Sequence, residues 1–233
     1  MKFLRKSQLW EQHFKIRKLC LEFNIENSIL NSDGSLDVDQ DVNLLNKNLL
    51  KIPFQFNIVN GSFICSNNKL KSLKNCPKIV NSFFYFDCNR IKSLKYSPSR
   101  VGSDFMGSNN KLKYIGENSI NSSGFIDISY NLLTSLKNVN PNFTYLYCSD
   151  NKINTLDGFP ELSENINFSN NPIYDIYTLF NDMSKMELLK YYDIIYEKSI
   201  NLYKLTGFLE EIGKPYEGDL EKYLKEKKWK ISK

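Results

Sequence analysis

Histidine, paired cysteines and glycine-rich loops are scarce in this 233-residue chain, and each scarcity excludes a class of function. The single histidine, His13, has no cysteine, serine or metal-ligand motif beside it, so no base is placed next to a nucleophile that it could activate. The five cysteines show no Cys-x-x-Cys spacing and are expected to be free structural thiols in a reducing compartment. A glycine-rich phosphate loop is also absent. We therefore predict that the protein is not an enzyme and holds no cofactor and no metal ion.

Long apolar runs and a strong net charge are missing as well. No segment approaches the roughly 20 apolar residues of a membrane span. The chain starts with basic residues, but polar residues interrupt it before a signal-peptide core could form. The formal net charge of +5 is mild and does not by itself imply a nucleic-acid partner. We therefore expect a cytoplasmic protein without a membrane span.

What the chain does contain is an asparagine that recurs at a nearly fixed interval. It occurs at Asn68, Asn89, Asn110, Asn131, Asn151 and Asn171. Apolar residues recur three and five positions before these asparagines, with Gly107 as an exception, and two and five positions after them. A fixed period of this length is the signature of a solenoid, in which each turn buries its apolar face by stacking on its neighbours.

The position of the asparagine within each repeat predicts its role. The two apolar residues before it are two apart, so they share one face of a short strand. The amide can then donate and accept hydrogen bonds toward backbone groups that the following turn leaves unpaired. We interpret the six asparagines as a structural ladder. An imperfect copy begins at Val42 with Lys47 in the asparagine position, so about seven turns are predicted over residues 42–177.

Residues 1–41, ahead of the repeats, are predicted to form an N-terminal cap. Residues 3–23 have the pattern of a basic amphipathic helix. This helix either covers the open end of the first repeat or binds an anionic membrane or the groove of a partner. The dipeptide Asp33-Gly34 then predicts the turn of a β-hairpin.

Three aspartates alternate with apolar residues in the second half of this hairpin. Asp37, Asp39 and Asp41 are therefore predicted to share the outer face of a strand. Their register does not match a calcium-binding loop. We expect them to form a charged sheet edge that blocks pairing with another sheet, and not a metal site.

After the repeats the period becomes helical, and residues 178–233 are predicted to form a C-terminal helical cap with a basic tail. One helix is predicted around 186–196, a second over 202–212 and a third over 219–228. The lysines around Trp229 are expected to form a solvated tail, with anchoring of this segment by Trp229 as the alternative.

Several repeats resemble the leucine-rich repeat consensus. The clearest copies are Ser66-Asn67-Asn68-Lys69-Leu70-Lys71-Ser72-Leu73 and Ser169-Asn170-Asn171-Pro172-Ile173. The proline-containing loops at 75–78, 96–99 and 158–161 resemble the compact bacterial and phage class of roughly 20 residues per repeat. Over about residues 33–213 the chain is similar to the leucine-rich repeat proteins of tailed bacteriophages. This resemblance implies an α+β leucine-rich repeat solenoid with short parallel strands, a largely irregular convex side, and action in the host cytoplasm.

With the repeats aligned, one column of outward strand positions is largely apolar or aromatic. The column and its neighbours comprise Ile64, Tyr85, Met106, Asp127, Tyr130, Tyr145 and Tyr147. Aromatic residues and methionine are enriched at protein interfaces. We therefore predict that these residues form a concave strand face that grips another protein. The alternative is that neighbouring side chains or a flanking helix cover them.

A second set of aligned positions is basic. It lies one and three residues after successive asparagines and comprises Lys69, Lys71, Arg90, Lys92, Lys111 and Lys113. Like charges at strand spacing repel by only about 0.8 kcal/mol in water, so this flank is either merely solvated or a binding surface for an acidic partner or nucleic acid.

Together these patterns predict a non-enzymatic protein–protein recognition module, namely a phage protein that binds and modulates a host bacterial protein. Binding of nucleic acid or an acidic partner through the basic flank is one alternative, and a role in the virion or its assembly is another. Bacterial effectors with similar short repeats can carry a ubiquitin-ligase domain with a catalytic cysteine, but no cysteine follows Cys148 in this chain.

Overall fold

The computed structural model describes residues 6–116, 120–160, 165–196 and 199–232. Its elements are, in chain order, α1 (Lys6–Glu22), β1 (Ser28–Leu30), β2 (Leu36–Val38), β3 (Val42–Asn43), β4 (Phe56–Val59), β5 (Phe63–Ile64), β6 (Ile79–Val80), β7 (Phe84–Tyr85), β8 (Arg100–Val101), β9 (Phe105–Met106), β10 (Phe125–Asp127), β11 (Tyr145–Tyr147), β12 (Ile166–Asn167), α2 (Pro172–Tyr177), a 3-10 turn (Met183–Lys185), α3 (Met186–Tyr191), β13 (Ile195–Tyr196), β14 (Ser199–Asn201), α4 (Leu202–Glu211), α5 (Leu220–Glu226) and β15 (Lys230–Ser232). Parallel strands stacked in this way form a solenoid, and the solenoid predicted from the repeat is confirmed.

Seven strands form one long parallel sheet along the solenoid. Their order is β3-β5-β7-β9-β10-β11-β12, so six steps separate the first strand from the last and the solenoid has about six turns. The register repeats from strand to strand, since Phe63 pairs with Phe84 and Phe84 pairs with Phe105. Equivalent residues of successive repeats therefore lie side by side.

A second parallel sheet accompanies the early turns and was not predicted from the sequence. Strands β2, β4, β6 and β8 pair in parallel, and β1 extends this sheet by pairing antiparallel with β2. Val59, Val80 and Val101 pair in register and are all buried. A short sheet therefore replaces the irregular side predicted for these turns.

Columns of buried side chains fill the solenoid. One column of the long sheet contains Val42, Phe63, Phe84, Phe105, Ile126, Leu146 and Ile166. A parallel column two positions later includes Phe86 and Gly107, and a Cβ at Gly107 would overlap the ring of Phe86. Because interiors are close-packed, this glycine makes room for the large ring in the turn before it.

Each of the six asparagines is buried and joins its own turn to the preceding one. In Asn89, Nδ2 donates to the carbonyls of Cys65 (3.0 Å) and Phe86 (3.0 Å), while Oδ1 accepts from the N–H of Leu70 (3.0 Å). The same pattern recurs at the other five asparagines. Successive asparagines also share a carbonyl, since Phe86 accepts from Asn89 and Asn110. The ladder is therefore continuous through backbone groups and does not rely on direct bonds between the asparagines.

The predicted hairpin is present, but its aspartates do not lie at a free sheet edge. Strand β2 lies between β1 and β4, so both of its sides are paired. Each aspartate accepts a hydrogen bond on its Oδ1. Asp37 accepts from Asn57 Nδ2 (2.8 Å) and Asp39 accepts from Asn60 Nδ2 (3.1 Å). Asp41 accepts from the backbone N–H of Ser62 (2.6 Å). The prediction of a charged edge is therefore wrong, because these carboxylates bind the next turn.

Helix α1 buries only part of the apolar face predicted for it. Ile16 and Cys20 are buried and belong to the same continuous core as the repeats. Phe14, Leu21 and His13 are exposed, and the side chains of residues 6–10 and 12 lie outside the described part.

The C-terminal segment differs from the prediction in two places. Helix α3 ends at Tyr191, and Ile195–Tyr196 forms strand β13 where the helix was expected to continue. Lys230–Ser232 forms β15, which pairs in parallel with β14, and Trp229 is buried, so the end of the chain is not a solvated tail. Helices α4 and α5 are confirmed.

Candidate functional site

The outward residues of the long sheet, here called the strand face, form an aligned column. It runs Asn43, Ile64, Tyr85, Met106, Asp127, Tyr147 and Asn167, each paired in register with the next. Ile64, Tyr85 and Met106 are half-buried and Tyr147 is exposed. The column aligned from the sequence is therefore a physical row of neighbours about 4.8 Å apart.

A second aromatic column lies beside the first, and only its member Tyr145 was named from the sequence. Phe83, Phe125 and Tyr145 stand two positions before the first column, and both phenylalanines are exposed. Phe83 stacks on Tyr85 with ring centroids 5.5 Å apart, and Tyr145 lies 4.6 Å from Tyr147. The period-2 alternation of a strand is the signal that would have found Phe83 and Phe125. The strand face is thus two columns wide, and four of its aromatic residues form the pairs Phe83–Tyr85 and Tyr145–Tyr147.

The carboxylates on this face are occupied by the turns that follow the strands. Oδ1 of Asp127 accepts from the N–H (2.9 Å) and hydroxyl (2.5 Å) of Ser129. Asp87 bridges two turns by accepting from the hydroxyl of Ser66 (3.1 Å) and the N–H of Ser108 (3.0 Å). Burial raises the pKa of Asp87, although these hydrogen bonds oppose the shift. Asp127 therefore stabilises the turn that follows β10, and it lies on the strand face among the aromatic and apolar residues.

Tyr130 stands in a strained position beside the strand face. Its φ is +53°, and the equivalent residues Asn67, Asn109, Asp150 and Asn170 have the same left-handed conformation. Asparagine and aspartate tolerate this conformation, whereas a bulky residue has a larger steric cost there. Tyr130 is nevertheless 56% exposed and packs little of its ring. Its presence is therefore not explained by stability.

The strand face ends at a cleft of about 640 Å³ where the solenoid meets the C-terminal segment. Tyr145 and Asn167 of the long sheet line one part of it, and Tyr174, Tyr177 and Asp182 line another. Clefts of this volume are typical of ligand sites. The aromatic surface of the strand face therefore continues into a concave end.

The six residues of the predicted basic flank are all exposed and are brought together by the stacking of the turns. The N–H of Arg90 donates to the Leu70 carbonyl (2.8 Å), and that of Lys111 to the Ile91 carbonyl (2.9 Å), so the flank repeats at strand spacing. None of the six joins an ion pair within the described ranges. Residues 42–116 contain twelve Lys and Arg but only two Asp, a formal charge of +10 against +5 for the whole chain.

The five cysteines are free, and four of them are buried. Burial raises the pKa of the Cys20, Cys76 and Cys148 thiols. Cys88 is exposed, and its pKa is raised by partial burial and by the Asp87 carboxylate. These shifts disfavour the thiolate that nucleophilic or metal-binding chemistry requires. Across the described ranges, no group of three or more His, Cys, Asp or Glu side chains is placed to hold a metal ion.

No helix in the described part of the chain is both long enough and apolar enough to cross a membrane. Comparisons with protein-family models, with curated proteins and with solved structures find no match to this chain.

Proposed function

We propose that this protein is a non-enzymatic recognition module of the leucine-rich repeat class, which grips another protein with its strand face. The observation that carries the proposal is two partly exposed aromatic pairs, Phe83–Tyr85 and Tyr145–Tyr147, on one regular sheet. Aromatic side chains supply large contact areas and dominate the energetics of interfaces. A sheet face built from stacked turns presents them at fixed distances.

The size of the surface favours a macromolecular partner. Five strands from β5 to β11 contribute outward residues, which at about 4.8 Å per strand extends the strand face over roughly 20 Å. The carboxylates of Asp87 and Asp127 within this stretch accept hydrogen bonds from backbone N–H groups, which hold these side chains in place beside the aromatic residues.

In this proposal, the protein is a phage protein that acts in a bacterial cytoplasm and modulates a host protein. The likeness of repeats such as Ser66–Leu73 to phage leucine-rich repeats supports this setting. In the same interpretation, α1 with the hairpin and the helices after residue 177 act as caps, and the burial of Ile16 and Cys20 in the common core supports that role.

Replacing Tyr85, Met106 and Tyr147 together by serine tests the proposal. The proteins captured from bacterial lysate should be lost with this variant and retained with Tyr114→Ser, a control that removes an exposed tyrosine outside the strand face. Circular dichroism should show that both variants keep their fold. Equal capture by the two variants would disprove a role for the strand face.

The charge segregation favours a second candidate function, the binding of a polyanion along the basic flank. Six aligned cations on neighbouring turns, without ion pairs in the described ranges, would contact phosphates, and such binding weakens steeply with salt. Changing Lys69, Arg90 and Lys111 to glutamine should then reduce the binding of a single-stranded oligonucleotide at low salt and flatten its salt dependence. Absence of binding by the unchanged protein at low salt would eliminate this candidate.

A further inference from the structure

A second aromatic surface lies in the C-terminal segment, away from the strand face. The C-terminal end of α3, the two residues after it and helix α4 line an open cleft of about 610 Å³. It is lined by Tyr191, Tyr192, Asp193, Tyr203, Lys204, Thr206, Gly207, Phe208, Glu210 and Glu211, and we call it the tyrosine cleft. Neither proposed function uses these residues.

The outer tyrosine rings of this cleft are exposed to solvent. Tyr191 is 79% exposed and Tyr203 is 85% exposed, the two highest values among the described large apolar residues. Tyr191 packs edge-on against Tyr192 with ring centroids 5.3 Å apart, and Tyr192 lies 6.3 Å from the buried Phe208. One wall of the cleft is therefore packed against the core through Tyr192, while its outer rings remain exposed to solvent.

Gly207 keeps the cleft open. It lies in the middle of α4, where glycine is a poor helix former, and a Cβ at this position would meet no atom within 4 Å. No close contact within the described structure requires the glycine. Its effect is to remove a side chain from the cleft.

The rim of the cleft is acidic. Asp193, Glu210 and Glu211 contribute three carboxylates against the single ammonium of Lys204. In the part of the chain that the structure describes, none of the three pairs with a cation. Glu211 accepts a long hydrogen bond, 3.3 Å, from the hydroxyl of Tyr192. The negative charge at the rim is therefore available to an occupant.

Exposed tyrosine rings together with unpaired carboxylates match the chemistry of a cationic side chain. A guanidinium or ammonium group is attracted to the face of an aromatic ring, and a carboxylate at its edge accepts its hydrogen bonds. We propose that the tyrosine cleft binds arginine or lysine side chains of an extended basic peptide, placed between Tyr191 and Tyr203 with Glu210 and Glu211 at the rim. The volume accommodates one such side chain with its neighbouring backbone.

The test uses the full chain and short fluorescent peptides in which arginine alternates with glycine, with a glutamate–glycine peptide of the same length for comparison. Anisotropy should show binding of the arginine peptide alone, weakened by salt. Changing Tyr191 and Tyr203 to alanine should raise its Kd about tenfold or more, since each cation–π contact accounts for a several-fold change in affinity. Glu210→Gln with Glu211→Gln should raise the Kd and reduce the salt dependence.

Two further variants separate binding from folding. Gly207→Leu adds a helix-favouring side chain in open space, so it should preserve or increase stability while it fills the cleft and abolishes binding. Tyr114→Ala, which removes an exposed tyrosine elsewhere, should leave the Kd unchanged. Unaltered affinity in Gly207→Leu would overturn the proposal.

Three other outcomes would also overturn it. One is absence of binding of the arginine peptide at millimolar concentration. Another is loss of binding with Tyr85→Ser and Tyr147→Ser but not with Tyr203→Ala, which would move the site to the strand face. The third is sedimentation showing that a second copy of this chain occupies the cleft through its basic flank, which would replace the peptide as the occupant.

Discussion

The early turns and the later turns of this solenoid follow the same asparagine ladder but differ in almost everything else. Residues 42–116 carry a second sheet, several stacked phenylalanines and a formal charge of +10. Residues 117–177 contain only two Lys and seven acidic residues, a formal charge of −5. The asparagine ladder therefore determines how the turns stack, while the surface charge and the buried side chains of each turn vary independently of it.

Repeat length changes later along the chain than the second sheet does. The asparagines from Asn68 to Asn131 are evenly spaced, whereas each of the two later intervals, which end at Asn151 and Asn171, is shorter by a single residue. Paired second-sheet strands occur in the early turns and end at β8, after which the described residues contain only isolated bridges such as Val101 to Ser122. Outside β10, the described residues of the interval from Asn110 to Asn131 hold only the bridges at Ile120 and Ser122 although this interval is still a long one, so the loss of the second strand precedes the change of repeat length.

The largest expected effect comes from the ladder that both regions share. Asn110→Leu leaves the N–H of Ile91 without an acceptor and weakens the hydrogen bonding of the Phe86 carbonyl. We expect the free energy of unfolding to fall by about 2–4 kcal/mol, because these backbone groups are buried. Urea denaturation measures it, with the exposed Lys111→Ala as control. If Asn151→Leu is tolerated where Asn110→Leu is not, the ladder is not equivalent in the two regions.

The next largest effect on stability is expected from a packing contact in the early turns, between Gly107 and Phe86. A methyl group at Gly107 would overlap the ring of Phe86, so Gly107→Ala should cost about 1–3 kcal/mol of stability. Phe86→Leu in the same chain should recover part of this loss, because the overlapping ring atoms are removed. A double-mutant cycle by urea denaturation measures the coupling. Additive effects of the two substitutions would contradict the assigned contact.

A smaller effect of opposite sign is expected at Tyr130 in the later turns. Tyr130→Asn places a residue that tolerates positive φ where the chain requires it, so stability should rise by about 0.5–1 kcal/mol. Thermal denaturation measures the gain. The equivalent change in the early turns, Cys88→Asn, provides the comparison. If Tyr130→Asn is also the change that weakens partner capture, the strained tyrosine belongs to the recognition surface.

The smallest effect concerns the pH dependence of the early turns. The pKa of Asp87 is raised by burial above its ordinary value near 4, so folding favours the protonated carboxyl. The contribution of Asp87 to stability is therefore greatest at low pH and is lost as the pH rises through its raised pKa. Asp87→Asn should remove this dependence, which urea denaturation at a series of pH values above 4 would reveal. The exposed Asp157→Asn is the matched control, and equal pH profiles for the two variants would refute the assignment.

The sequence was sufficient for the long sheet because its signal is local and repeated. The spacing of the asparagines placed Tyr85 and Met106 in one column, and the register places them side by side. The second sheet was missed because several of its strands are very short, as at Ile79–Val80, and lie in loops of variable composition. Ile195–Tyr196 was assigned to a helix because a short apolar run does not distinguish helix from strand. Its sheet is completed by Lys230–Ser232, which follows only after two further helices, so no local pattern reveals the pairing.

The asparagine ladder also has a direction. Each asparagine completes backbone groups of the turn before it, as Asn131 accepts from the N–H of Leu112. A turn that has just left the ribosome is therefore unfinished until the asparagine of the following turn has emerged. Repeat proteins gain stability mainly from contacts between neighbouring turns. The nascent chain should accordingly fold turn by turn from its N-terminal end. At each stage, the most recently synthesised turn lacks the hydrogen bonds that the next asparagine will supply.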